Sequence, residues 1–329
     1  MRTAITVAKA IAALSLVAVL AHDARTACGD GPSSQPTWLG MFAASKPSGA
    51  APTTAPASSS RAAAASNGDK NGYTLFHPTP ANLMRPMDLD RPNITNTPHT
   101  VDAGHVQVET GLADFTHVHN HAGRSDTWDL GQFNVRTGIL NNLELNVIAN
   151  SYRFLEGHDS LSGQTTRANG YGDTVLGGKL NLWGNDSGAK LWATALGIQP
   201  QVKLPTAGRV LGNGWTEALV NFPFLMNMPA GVHLGLMTTP LLERNSSNTS
   251  YCAGWLNSVC VDRVFFKRYD FYVEYVSHVA TGHQEGQGSV DLGVIYSVSP
   301  NVSLDTAVNI GVNQATPAAE WLVGITFRL

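Results

Sequence analysis

From Gly104 to the C-terminus, apolar and polar side chains alternate residue by residue, and no other feature constrains the fold as much. Val106, Val108, Thr110 and Leu112 alternate with His105, Gln107, Glu109 and Gly111; Val302, Leu304, Thr306, Val308 and Ile310 alternate with Ser303, Asp305, Ala307, Asn309 and Gly311. A period of two puts one set of side chains on each face of an extended strand. The pattern recurs over 104–117, 127–138, 142–154, 171–183, 189–203, 214–226, 230–242, 257–266, 270–280, 287–298, 301–312 and 318–329, which predicts twelve strands. Past Ala21 no apolar run is long enough for a membrane helix, so any crossing of a bilayer falls to strands.

The connections carry a second signal. Those at Ile139–Asn141, Gly184–Gly188, Asn227–Pro229, Lys267–Tyr269 and Ser299–Pro300 read as short. Those at 118–126, 155–170, 204–213, 243–256, 281–286 and 313–317 read as mostly longer and rich in Gly, Asn and Ser. Alternating short and long connections, an even strand number and both chain ends on the short side are expected of an outer-membrane barrel. The aromatics Trp128, Tyr152, Trp183, Trp192, Trp215, Tyr269, Tyr296 and Trp321 fall near strand ends, where interfacial girdles belong. The fold expected is therefore all-β: a closed antiparallel transmembrane β-barrel over 104–329. A cation at the midplane of the lipid face costs about 2–4 kcal/mol. The strand charges opposite the apolar set, Glu109, Arg136, Glu144, Asp173, Lys179, Glu217, Glu274, Asp291, Asp305 and Arg328, are thus expected to line the lumen.

The first hundred residues read differently. Arg2 and Lys9 followed by apolar Ala10–Ala21 predict a signal peptide over 1–21. Residues 22–70, rich in Ser, Ala, Pro and Gly, predict a disordered low-complexity linker. Residues 71–103 carry Leu75, Phe76, Leu83, Met84, Met87 and Leu89 among prolines without helix or strand period. They are expected to be an extended periplasmic segment lying on a surface, with a plug as the rival reading. Of the three cysteines, Cys252 and Cys260 are close in sequence, and a disulfide between them is expected to stiffen a loop carrying Trp255, with Cys28 left over.

Several short stretches resemble a known family. They are Asp90-Arg91-Pro92-Asn93, Val106-Gln107-Val108-Glu109, Val135-Arg136 with Gly138, Leu143-Glu144-Leu145, Gly172-Asp173-Thr174 with Gly177 and Lys179, and Leu204-Pro205-Thr206. Glu274, Asp305, Gly311 and the terminal Ile325-Thr326-Phe327-Arg328 complete the set. In this order, over residues 88–329, they resemble the bacterial outer-membrane transporter family of the phenol-degradation meta-pathway. The resemblance implies a barrel in the outer membrane and passage of aromatic compounds. Asn93 stands where the family usually has Asp, and Leu329 where an aromatic is usual in the strand read by the barrel-assembly machinery.

Other chemistry finds little support. Charged residues make up 14% of the chain and net charge is −3, which argues against a nucleic-acid partner. His117, His119 and His121 share a face in extended chain, but no Cys or carboxylate completes a metal set in sequence. Ser277 and His278 are neighbours and so point to opposite faces, and Ser289, His233 and Asn221 are far apart in sequence. No enzyme activity and no cofactor are expected. The function expected is a passive outer-membrane channel for small solutes, aromatic or hydrophobic ones among them, with membrane lipids, the solute and the barrel-assembly machinery as partners. The alternative is a plugged structural or surface-interaction barrel.

Overall fold

The computed structural model describes residues 69–121, 123–208, 210–245, 247–281 and 286–329. The expected signal peptide 1–21, all but the end of the expected linker 22–70, and Cys28 lie outside the described residues.

The strands are β1 (Val106–Asn120), β2 (Gly123–Leu140), β3 (Leu143–Asp159), β4 (Thr165–Gly170), β5 (Thr174–Trp183), β6 (Thr194–Leu204) and β7 (Glu217–Asn227). They continue as β8 (Val232–Arg244), β9 (Tyr251–Phe265), β10 (Tyr269–Ala280), β11 (Gln287–Ser299), β12 (Val302–Gly311) and β13 (Ala319–Arg328). Apart from β4 and β5, consecutive strands pair antiparallel, β1 pairs with β13, and the ring is complete. β4 and β5 both pair with β3 and are two halves of one wall strand, so the barrel has 12 staves. The interruption falls at 171–173, where Asp173 turns inward to Lys203 at 3.3 Å. Closure is what lipid demands, since an open edge would leave backbone groups unpaired in hydrocarbon.

The polarity of the wall is inverted relative to a water-soluble protein. Leu145, Val147, Leu176, Val259, Val273, Leu292, Leu304 and Ile310 are exposed on the outside, while Arg136, Lys179, Glu109, Glu144 and Glu274 are buried inside. Alternation alone produces this sorting. Exposed aromatics form two belts. Phe115 packs between Trp128 and Trp321 at centroid distances of 4.7 and 5.6 Å near one rim, and Tyr269 packs on Tyr296 at 4.8 Å near the other.

The sorting of connections by length is less strict than expected. The connection expected to be long at 118–126 is only 121–122, because β1 and β2 run on as a paired hairpin in which His117 meets Asp126 at 2.6 Å. The connection expected to be short at Gly184–Gly188 spans 184–193. The longest is 205–216. The rim carrying 141–142, 184–193, 228–231, 266–268, 300–301 and Leu329 is called the turn end below, and the opposite rim the loop end.

Two further expectations need correcting. Cys252 and Cys260 are not bonded to each other: Cys260 is a free, buried thiol, whereas Cys252 is disulfide-bonded. The expected loop 243–256 is mostly strand, with Tyr251–Phe265 continuous as β9. Residues eight apart on one strand are separated by about 27 Å, far beyond the roughly 7 Å that a disulfide tolerates between Cα atoms. Trp255 accordingly sits on the wall, opposite Pro240 and Val279, not on a lid. Segment 71–103 is extended, but it does not lie on an outer surface. Its middle runs through the lumen.

Candidate functional site

The described strands enclose a lumen, and its contents are set by the inward parity of each strand. Arg136 on β2 is the hub. Its guanidinium donates to Glu109 of β1 at 2.8 Å and to Glu144 of β3 at 2.9 and 3.1 Å. It also donates to two carbonyls of the incoming segment, Asp88 at 3.1 Å and His99 at 3.0 Å. Lys179 of β5 meets Asp90 of that segment at 2.7 Å. Both cations are almost wholly buried, a state that is tolerable only with such partners.

The same wall offers carboxylates to backbone donors. Glu109 accepts from the Asp90 amide at 3.2 Å, Glu144 from the Val101 amide at 2.7 Å, and Glu274 from the amides of Ile94 and Thr95, each at 2.7 Å. The Thr95 hydroxyl also donates to Glu274. A segment without secondary structure can therefore be buried because the wall supplies the acceptors that a helix or sheet would otherwise provide. On β12, Asp305 accepts from Arg91 at 3.3 Å.

Two apolar and steric features complete the seat. Ile94 is 2% exposed and joins Val175, Leu219, Met237, Leu241, Leu256 and Val276, inward-facing residues from five strands, in one apolar cluster. Burying such a side chain contributes about 2 kcal/mol. Gly324 leaves room for Arg91: a Cβ there would lie 2.7 Å from its guanidinium. Gly138 plays the same part lower down, where a Cβ would be 2.2 Å from the Asp102 carbonyl oxygen. At the turn end, Asp102 is held by Lys70 at 3.2 Å and by Arg85 at 3.3 Å, and both cations also reach Asp186 of the 184–193 connection. Burial works against the charge of Asp186, but the hydrogen bond from Lys70 and the nearby Arg85 hold its carboxyl below the usual range.

All ten charges singled out in the sequence are buried inside the ring. Glu109, Arg136, Glu144, Lys179, Glu274 and Asp305 hold the segment directly. Arg328 donates to the Arg85 carbonyl at 2.9 Å. Asp173 and Glu217 instead hold Lys203, at 3.3 and 2.8 Å, which also donates to Asn213 of the inward-folded 205–216 loop. Asp291 stands on β11 with neither carboxylate oxygen hydrogen-bonded. The sequence reading marked Asp90 and Arg91 only through the family resemblance, with no lumen role, and missed Ile94, Thr95 and Lys203. Only Lys203 lay on an expected strand with the right parity; the others carry no period that could have marked them.

Beside the segment, toward the turn end, a cavity of about 400 Å³ remains between Met87–Thr97 and the wall of β7–β12. Its lining mixes Leu225, Val264 and Ile295 with Asp88, His233, Asp262, Asp270 and Tyr272. The residues weighed for catalysis do not converge: His233 pairs with Asp262 at 2.7 Å at the turn end, Asn221 bonds Thr239 at 2.7 Å, and Ser289 packs near Asn309 and Glu320. Among the described residues no three His, Cys, Asp or Glu side chains converge as a metal set.

A closed barrel with an apolar exterior, aromatic belts and a charged, segment-bearing lumen defines the class of outer-membrane β-barrels. The family described as "Putative MetA-pathway of phenol degradation" matches residues 89–329, and the chain belongs to it. Among solved structures, the COG4313 outer membrane channel from Pseudomonas putida F1 superposes with a TM-score of 0.54 at 10% identity, covering 74% of this chain and 100% of that one. The KdgM porin gives 0.41 at 11% identity, covering 67% and 98%, and the NanC porin 0.43 at 10% identity, covering 68% and 100%. No curated protein matches the sequence. The likeness to the COG4313 channel is one of fold, that of an outer-membrane barrel.

Proposed function

We propose that this protein is a passive outer-membrane channel for small solutes, with aromatic or otherwise apolar bodies among them, which pass beside the lumen segment. The observation that carries this reading is the 400 Å³ cavity left between the segment and the β7–β12 wall. A volume of this order takes a small organic molecule. Its apolar patches offer contact to a hydrophobic body, and its polar groups keep it wet. The chain reaches its site through export by residues 1–21 and insertion by the barrel-assembly machinery, with Phe327 on the outer face of the closing strand and Leu329 at its end.

A second reading is favoured by the number of contacts that seat the segment: a plugged barrel that serves as a structural or surface-interaction protein. Proteoliposome swelling separates the two. The channel reading expects faster swelling in small aromatic and aliphatic solutes than in empty liposomes, and no acceleration with large sugars. Swelling no faster than in empty liposomes for every solute overturns it and leaves the plugged barrel.

A further inference from the structure

The cavity beside the lumen segment has an uneven charge balance. Five aspartates line it: Asp102 and Asp186 are ion-paired with Lys70 and Arg85, which leaves three without such a cation, Asp88 from the segment, Asp262 from β9 and Asp270 from β10. Asp88 meets only the His99 ring, at 2.7 Å, as an ionisable partner, and Asp262 only the His233 ring, at 2.7 Å. Asp270 has an oxygen, Oδ1, that is buried without a hydrogen-bond partner. Among the described residues no Lys or Arg forms an ion pair with any of the three. The arginines that reach the cavity are turned elsewhere: Arg85 and Arg328 toward Asp102, at 3.3 and 3.9 Å, and Arg268 toward the Tyr296 hydroxyl at 3.5 Å.

A tyrosine makes an independent case for a ligand. Tyr272 is 4% exposed, lines the cavity, and its hydroxyl has no partner. It follows Asp270 by two residues on β10 and so shares its face. Its ring lies against Gly293, where a Cβ would stand 2.4 Å from Cε1, so the wall was left bare to receive it. A buried hydroxyl and a buried carboxylate oxygen, both unsatisfied, each cost free energy unless something donates to them.

We infer that this cavity binds a small organic cation, a primary ammonium on an apolar body. The ammonium donates to Asp270 and to the Tyr272 oxygen, with Asp262 and Asp88 supplying further negative potential. The body lies against Leu225 and Ile295. An ammonium brings three donors and one positive charge, which are what these groups lack. A carboxylate solute meets repulsion there, and a neutral alcohol satisfies only part of the set. This names the charge of the solute, and it rests on the channel reading only in treating the bound molecule as cargo.

The test uses the full chain in detergent and in proteoliposomes, with 2-phenylethylamine, 2-phenylethanol and phenylacetate as probes. Calorimetric titration at neutral pH is expected to show the amine binding at least about tenfold more tightly than the alcohol, the difference of one charge-assisted hydrogen bond, and phenylacetate more weakly still. Asp270→Asn and Tyr272→Phe are each expected to weaken the amine by a larger factor than the alcohol, so that the preference for the amine shrinks; heat-modifiable gel mobility verifies that both variants form barrels. Equal affinity for amine and alcohol, no binding of the amine, or an unchanged amine affinity in both variants overturns the inference. Selective binding without flux keeps the site and removes the channel reading. Flux without amine preference keeps the channel and removes the site.

Discussion

Replacing Arg136 by Met removes the hub that holds the lumen segment. Two charge-assisted hydrogen bonds to the segment, to the carbonyls of Asp88 and His99 at 3.1 and 3.0 Å, are lost, together with the contact to Asp90 at 3.5 Å. At about 1.5–3 kcal/mol each, the two hydrogen bonds amount to about 3–6 kcal/mol of seating free energy. That lowers the ratio of seated to released segment by roughly two to four orders of magnitude. The wall itself should survive, because the backbone ladders through residue 136, to Gln107 and Asn146, do not depend on its side chain. Cys260 is a built-in reporter: it is a free thiol, 3% exposed, and its sulfur lies 3.9 Å from the Asn93 amide of the segment. Maleimide labelling of Cys260 in the folded protein should be slow in the parent and much faster in Arg136→Met, with single-channel conductance rising in parallel. Labelling and conductance unchanged from the parent would refute the reasoning.

Other outcomes follow from the same contacts. Glu274→Ala strands the amides of Ile94 and Thr95 and should loosen the segment by about 2–4 kcal/mol, read by the same labelling rate. Gly324→Val places side-chain atoms where the Arg91 guanidinium lies and should break its pair with Asp305, giving faster labelling without loss of heat-modifiable mobility. Val273→Arg puts a cation on the lipid face of β10, where Val273 is 53% exposed, and should destabilise the inserted barrel by about 2–4 kcal/mol in denaturant titrations in lipid. Peptide mass mapping without reduction should recover Cys260 as a free thiol; a Cys252–Cys260 linkage would contradict the strand geometry of β9.

The barrel was legible because its physics has a period. Lipid outside and polar contents inside force opposite chemistry onto alternate residues, so Val302–Gly311 announces both its conformation and its faces. The inward charges followed from the same parity. What they hold did not, because Asp90–Thr97 is fixed by long-range pairs, Asp90 with Lys179 and Thr95 with Glu274, that leave no local pattern. The start of β9 was lost for a related reason. Ala253 and Gly254 read as loop residues, although Cys252, Gly254, Leu256, Ser258 and Cys260 share one parity and all face inward. That shared parity was the available sign that the cysteines lie along a single strand. The inward apolar cluster around Ile94 also broke the alternation locally, and an apolar residue facing a polar lumen was the available hint that something else fills it.

The central claim is that residues around Asp90–Thr97 occupy the lumen of the inserted barrel. Asn93→Cys in the full chain, placed in liposomes and treated with a short thiol-to-thiol cross-linker, tests it most directly, since the native Cys260 is the free thiol beside that position. The account predicts an intramolecular link between residues 93 and 260 in high yield, formed in the folded barrel and absent after heat denaturation before treatment. Two freely labelled thiols with no link between them in the folded protein would contradict it.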